Sequence, residues 1–225
     1  MSLKYEKSEF IDVIRTSIPQ KLEYTVSFAN DRSRTKFIKS VERLVRSSLE
    51  YRDYIQYLKE NVGMDACAFF SNINRDNNKR VRIEVHHAPL TLYDICDTIL
   101  KKYENLGMKI CALDIAEEAM QLHYKNMVGL IPLSKTLHEV IHSDNSEKLI
   151  IPASAIYGNY KQFLKEYSDY ISDFMYEKYE KLINDTKLIN EHTYDVLKKK
   201  FTYIEVDGFM VPSRIETEEQ QVKTS

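Results

Sequence analysis

Glycine and proline are scarce in this chain, five of each among 225 residues. That scarcity argues against an all-β barrel, whose many tight turns draw on both, and leans towards helix. Cysteine is limited to Cys67, Cys96 and Cys111, an odd number, widely spaced and without a C-x-x-C pair. A zinc ribbon or a thioredoxin-like redox site is therefore disfavoured, and buried reduced thiols are expected. Charge of one sign is missing too: the formal net charge is −2. Composition thus names neither nucleic acid nor membrane as a partner, and any affinity for nucleic acid has to come from a local patch. No apolar run approaches the roughly 18 residues of a membrane span, and residues 1–7 hold no apolar signal core. The expectation is a cytoplasmic protein without a membrane partner.

What is present is patterned. Apolar residues make up 43% of the chain, enough for a sizeable core. The periodicities predict an α+β fold, mainly helical, in four segments. Residues 1–62 form an N-terminal helical region, with helices over 8–17 and about 33–60. The second carries an apolar stripe of Phe37, Val41, Leu44, Val45, Leu49, Tyr51, Ile55 and Leu58. Its first half is basic: Arg32, Arg34, Lys36, Lys39, Arg43 and Arg46, with only Asp31 and Glu42 among them. Arg34, Lys36, Lys39 and Arg43 are the candidate nucleic-acid contacts.

Residues 63–152 follow as a second segment. Here 66–71 and 80–86 read as strands around an Asn-rich turn, predicting an antiparallel hairpin. In 80–86, Val81, Ile83 and Val85 alternate with Arg80, Arg82 and Glu84. A helical insertion over 90–125 is split near 105–107. A short apolar strand over 128–133 leads to Ser134, an expected N-cap, and to a helix over 135–142. Residues 153–212 form a Tyr-rich helical region, with helices over 161–184 and 191–201, and 213–225 is expected to be a disordered tail. The long helical arms suit self-association or a contact with another protein.

The chemistry sits in four histidines. His138 and His142, four apart, share one face of the last helix of the second segment. His86 and His87 close the alternating strand, and neighbours in extended backbone point opposite ways. One of them can join the helical pair as a third ligand to a divalent metal, leaving the other imidazole, with an ordinary pKa near 6.5, as a base. An open three-histidine site favours catalysis over a closed structural clip. His123 and His192, each alone, read as core or surface residues.

These residues resemble the HNH, or ββα-metal, endonuclease superfamily, especially its colicin-type DNase branch, and HNH-type proteins encoded by large bacteriophages. The match spans Arg80 to Ser143. The resemblance implies a metal-dependent endonuclease acting on nucleic acid, most naturally DNA, in the cytoplasm of the cell that contains it, the host cell for a phage protein. It makes His87 the general base and His86, His138 and His142 the ligands of one divalent ion (Zn, Mg, Mn or Ni). Arg80 and Glu84 take supporting roles on the first strand, and Lys135 adds a phosphate contact. Two departures stand out. The segment between His87 and the second strand is long and helical, and the Asn that gives the family its middle letter falls at Gly129, with Asn126 the nearest substitute. The alternative is an inactive nucleic-acid-binding or protein-interaction module with a structural metal.

Overall fold

The computed structural model describes residues 28–70, 72–74, 77, 79–142, 151–188, 202–206 and 209–213. The helices predicted over 8–17 and 191–201 and the tail after Ser213 lie outside them. The fold is α+β and mainly helical, with seven α-helices among the described residues. Helix α1 (Asp31–Ser47) starts at a capping box between Asn30 and Ser33 and buries Ile38, Val41 and Val45. Helix α2 is Leu49–Glu60. The single helix predicted over 33–60 is thus broken. Ser48 adopts extended backbone and its hydroxyl accepts from the Tyr51 amide, ending one helix and capping the next. The break resets the buried face to Tyr51, Tyr54 and Leu58 and leaves Leu44 and Leu49 exposed.

Strand β1 (Ile83–His87) pairs antiparallel with β2 (Leu130–Ser134), His86 opposite Ile131 and Glu84 opposite Leu133. The predicted pairing of 66–71 with the first strand does not form. That segment makes an isolated bridge between Ala66 and Asn74, and the Ala68 amide donates to the Pro132 carbonyl. The Asn-rich turn satisfies itself locally, with the Asn77 amide on Asn74 Oδ1 and Asn77 Nδ2 on the Asn72 carbonyl. Such side-chain bonds compete with a strand ladder. Every residue of β2 is buried, and β1 takes it as its partner.

Between the strands stand α3 (Leu92–Asn105), begun by a Thr91–Asp94 capping box, and α4 (Ala112–Tyr124). After β2 comes α5 (Lys135–His142), and Ser134 Oγ accepts from the Leu137 amide as expected of an N-cap. The Tyr-rich region is divided into α6 (Tyr160–Glu166), a 3-10 turn at Ser168–Tyr170 and α7 (Asp173–Leu188). Tyr157, Tyr160 and Tyr167 of this region are buried, and the hydroxyls of Tyr157 and Tyr167 donate to Asn126 and Glu118. A further antiparallel pair, β3 (Thr202–Val206) and β4 (Phe209–Ser213), stands where only helix was expected. Cys67 and Cys96 are buried and all three cysteines are free.

Gly129 is required by a close approach of backbone. The Ala88 amide donates to the Gly129 carbonyl, and a Cβ on Gly129 would lie 1.8 Å from the Ala88 carbonyl oxygen. Gly107 has a positive φ of 61° but open space around it. Gly129→Ala should therefore cost about 3 kcal/mol or more through overpacking, and Gly107→Ala about 1–2 kcal/mol through backbone strain alone. Thermal unfolding of the two variants checks the order; equal melting temperatures would contradict the close approach.

Candidate metal centre

Alternation along β1 assigns its side chains to two faces. Ile83 and His87 are buried against the core, while Glu84 and His86 face α5. Because β2 runs directly into α5, the helical pair His138 and His142 comes over the His86 side of the sheet. The three rings lie 4.8–5.1 Å apart between centroids, and one nitrogen from each falls within 4.8 Å of the others.

A carboxylate stands behind the cluster. Glu84 Oε2 is 2.6 Å from His138 Nδ1, and Arg82 Nε is 2.9 Å from Glu84 Oε1. The carboxylate only accepts, so the Nδ1–H of His138 donates to it and Nε2 is the nitrogen turned to the other two rings, the arrangement common behind metal-bound histidines. His138 Nε2 and His142 Nε2 are 3.2 Å apart. Two ligands on a tetrahedral ion with bonds of 2.0–2.1 Å are separated by about 3.3 Å, so this donor pair fits a tetrahedral edge. Burial, and then the charges of His138, His142 and Arg46, hold His86 at a pKa of about 4. Burial, with His138 and Arg46 behind it, lowers His142 as well. Neutral imidazole is the form that binds a metal.

On the opposite face is a second histidine pair. His87 is 5% exposed, and its Nε2 lies 3.0 Å from His123 Nε2. His123 Nδ1 lies 2.7 Å from the Ala119 carbonyl oxygen. The carbonyl only accepts, so His123 holds its proton on Nδ1 and accepts at Nε2 from the Nε2–H of His87. The lone pair of His87 is thereby placed on Nδ1. The Tyr51 ring is stacked on His87 at 6.4 Å, and Tyr51 and Tyr54 meet His123 edge-on at 5.6 and 5.5 Å. Burial pushes His87 well below its ordinary pKa, and the charges of His123, Arg46 and His86 act the same way. Burial brings His123 down to about 4, against an opposing pull from the Ala119 carbonyl.

The remaining predicted site residues divide. Glu84 is at the cluster, but the arginine that braces it is Arg82; Arg80 is exposed and precedes β1. Asn126 has a positive φ of 55°, and its side chain accepts from the Tyr157 hydroxyl. It thus fastens the 157–159 connection. Lys135 is exposed, 3.4 Å from Glu139. Arg34 is spent on α3, 2.8 Å from Asp97 and 3.4 Å from Glu104, whereas Lys36, Lys39 and Arg43 are exposed. Sequence reasoning missed two partners. Arg82 shares the period-two face of Glu84 and His86 and was findable there; no spacing links His123 to His87.

Residues 1–208 match the family of bacteriophage G278-like virion proteins, a span that includes both histidine clusters. No curated protein and no solved structure matches the chain.

The buried His123 supplies a test of the second pair. Its folded pKa of about 4 lies below the unfolded value near 6.5, so the unfolded chain binds the extra proton between those limits. Its contribution is whole above pH 6.5 and is lost as pH falls towards 4, a loss of roughly 3 kcal/mol for such a shift. The melting temperature should drop over this window, and His123→Gln should flatten the drop. An unchanged pH profile in the variant would refute the neutral buried pair.

Proposed function

The chain belongs to the bacteriophage G278-like virion protein family, and from that phage origin we propose that it is a metal-dependent endonuclease of the HNH type, cleaving phosphodiester bonds of DNA in the infected host's cytoplasm. The observation that supports this most is the convergence of His86, His138 and His142 within 4.8 Å on a strand–strand–helix frame, with Glu84 behind one of them. Three imidazole ligands suit Zn, Ni or Mn better than Mg, which prefers oxygen. A bound divalent ion would supply Lewis-acid polarisation of a phosphoryl oxygen and stabilise the leaving oxyanion.

The protein's own residues carry the rest. Arg82 orients Glu84, and Glu84 fixes the tautomer and ring of His138. Ala119 and His123 fix the tautomer of His87, which offers Nδ1 to take the proton of the attacking water. A second reading, a metal-stabilised interaction module, is favoured by one observation: His87 is 5% exposed and lies on the core side of β1.

Plasmid nicking with Zn, Ni, Mn and Mg tests the reading. His138→Ala should lose both bound metal and cleavage. His87→Ala should keep the metal and lose cleavage, and Glu84→Gln should weaken metal binding by about 10–100-fold. Folded, metal-loaded protein that nicks no plasmid with any of these ions, and that unfolds on chelation, would establish the structural reading instead.

A further inference from the structure

One face of α1 is a column of cations. Arg32, Lys36, Lys39, Arg43 and Arg46 follow one another at steps of four, three, four and three residues, and all five are exposed. That spacing keeps side chains on one helical face, opposite the buried Ile38, Val41 and Val45. Arg34, off the column, is the cation that α3 neutralises. Among the described residues no ion pair involves Arg32, Lys36, Lys39 or Arg43. Arg46 meets Glu42 at 3.8 Å, the acid beside the column. A shallow groove of about 430 Å³ runs past Lys39, Glu42, Arg43, Arg46 and Ser47.

The column leads to the histidines. Helix α1 ends at Ser47, Ser48 turns the chain, and Tyr51 of α2 lies on both His87 and His123. From Arg32 to Arg46 the helix rises about 21 Å, so the cations form a straight row rather than a compact cluster.

We propose that this column is a track for the phosphodiester backbone of a nucleic-acid duplex, which would lie along α1. Its position beside the histidines has a purpose only under the nuclease reading; its binding stands apart from it. A row of evenly spaced cations, four of the five without an ion pair among the described residues, fits a polymer of evenly spaced anions better than it fits the irregular charges of a protein surface.

The test is fluorescence anisotropy of the full chain with labelled 20-base-pair DNA and RNA duplexes, without added metal, from 50 to 200 mM salt. Five phosphate contacts predict a slope of log affinity on log salt of about −4.5 for duplex DNA. The exposed double variant Lys39→Gln/Arg43→Gln should bind more weakly and lose about 2 from that slope. Lys161→Gln/Lys165→Gln, on exposed positions of α6, should leave both unchanged. Tighter binding of one duplex identifies the nucleic acid. Equal binding by the two double variants, or an affinity indifferent to salt, would overturn the track. Binding as described without any cleavage would keep the track and remove only the nuclease reading.

Discussion

The pairing of β1 with β2 fixes the places of His86, His87, His138 and His142. With His86 opposite Ile131 and Glu84 opposite Leu133, one face of β1 offers a carboxylate and an imidazole to α5, and the other sends His87 into the core. A slip of one residue would exchange the two faces, placing His87 over α5 and burying Glu84. The register is held at its end by the Ala88 amide on the Gly129 carbonyl, and beyond β2 by reciprocal backbone bonds between Leu130 and Tyr157. The direct passage of β2 into α5 then makes the position of His138 and His142 a consequence of the same pairing.

Protonation is disfavoured at His86 and His142 in one group and at His87 and His123 in the other, with different outcomes. In His86 and His142 neutrality leaves lone pairs for a shared ion, and the spacing of His138 and His142 already suits one. In His87 and His123 it produces a directed chain of protons from His87 to the Ala119 carbonyl. Burial is the leading cause in each case, and Arg46 reinforces all four. A guanidinium at that place disfavours imidazolium, and under the proposed nuclease reading the same charge would also attract an anionic substrate.

Much of this was legible from local pattern. The alternation of 80–86, the Ser134 cap, the split near 105–107 and the shared face of His138 and His142 rest on periodicity or capping chemistry, which the chain expresses locally, whereas the choice of His86 over His87 as their companion came from the resemblance. Ser48 was hidden because apolar periodicity runs through it, although a Ser–Ser pair ahead of Glu50 is a capping signal. The β3–β4 pair was announced by Asp207-Gly208 between two apolar runs, a strong hairpin signature. The local self-satisfaction of Asn74 and Asn77, and the meeting of His123 with His87, depend on tertiary contacts that no spacing encodes.

The two departures from the HNH-like pattern explain one another. In that pattern an asparagine on the second strand steadies the loop that carries the base. Here the equivalent place is Gly129, where a Cβ would collide with the Ala88 carbonyl oxygen at 1.8 Å, so no asparagine side chain can be accommodated. The backbone of Gly129 instead binds Ala88, the residue directly after His87. The helical insertion, which looked foreign to a compact motif, supplies α4 and with it His123, the partner that fixes the ring of His87. Where the HNH-like pattern would have an asparagine side chain, His87 here has the Gly129 carbonyl bound to its neighbour Ala88 and the His123 ring as partner. If the support is the same in kind, His123→Ala should resemble loss of that asparagine: His87 would remain in place on β1 but would lose the partner that sets its tautomer.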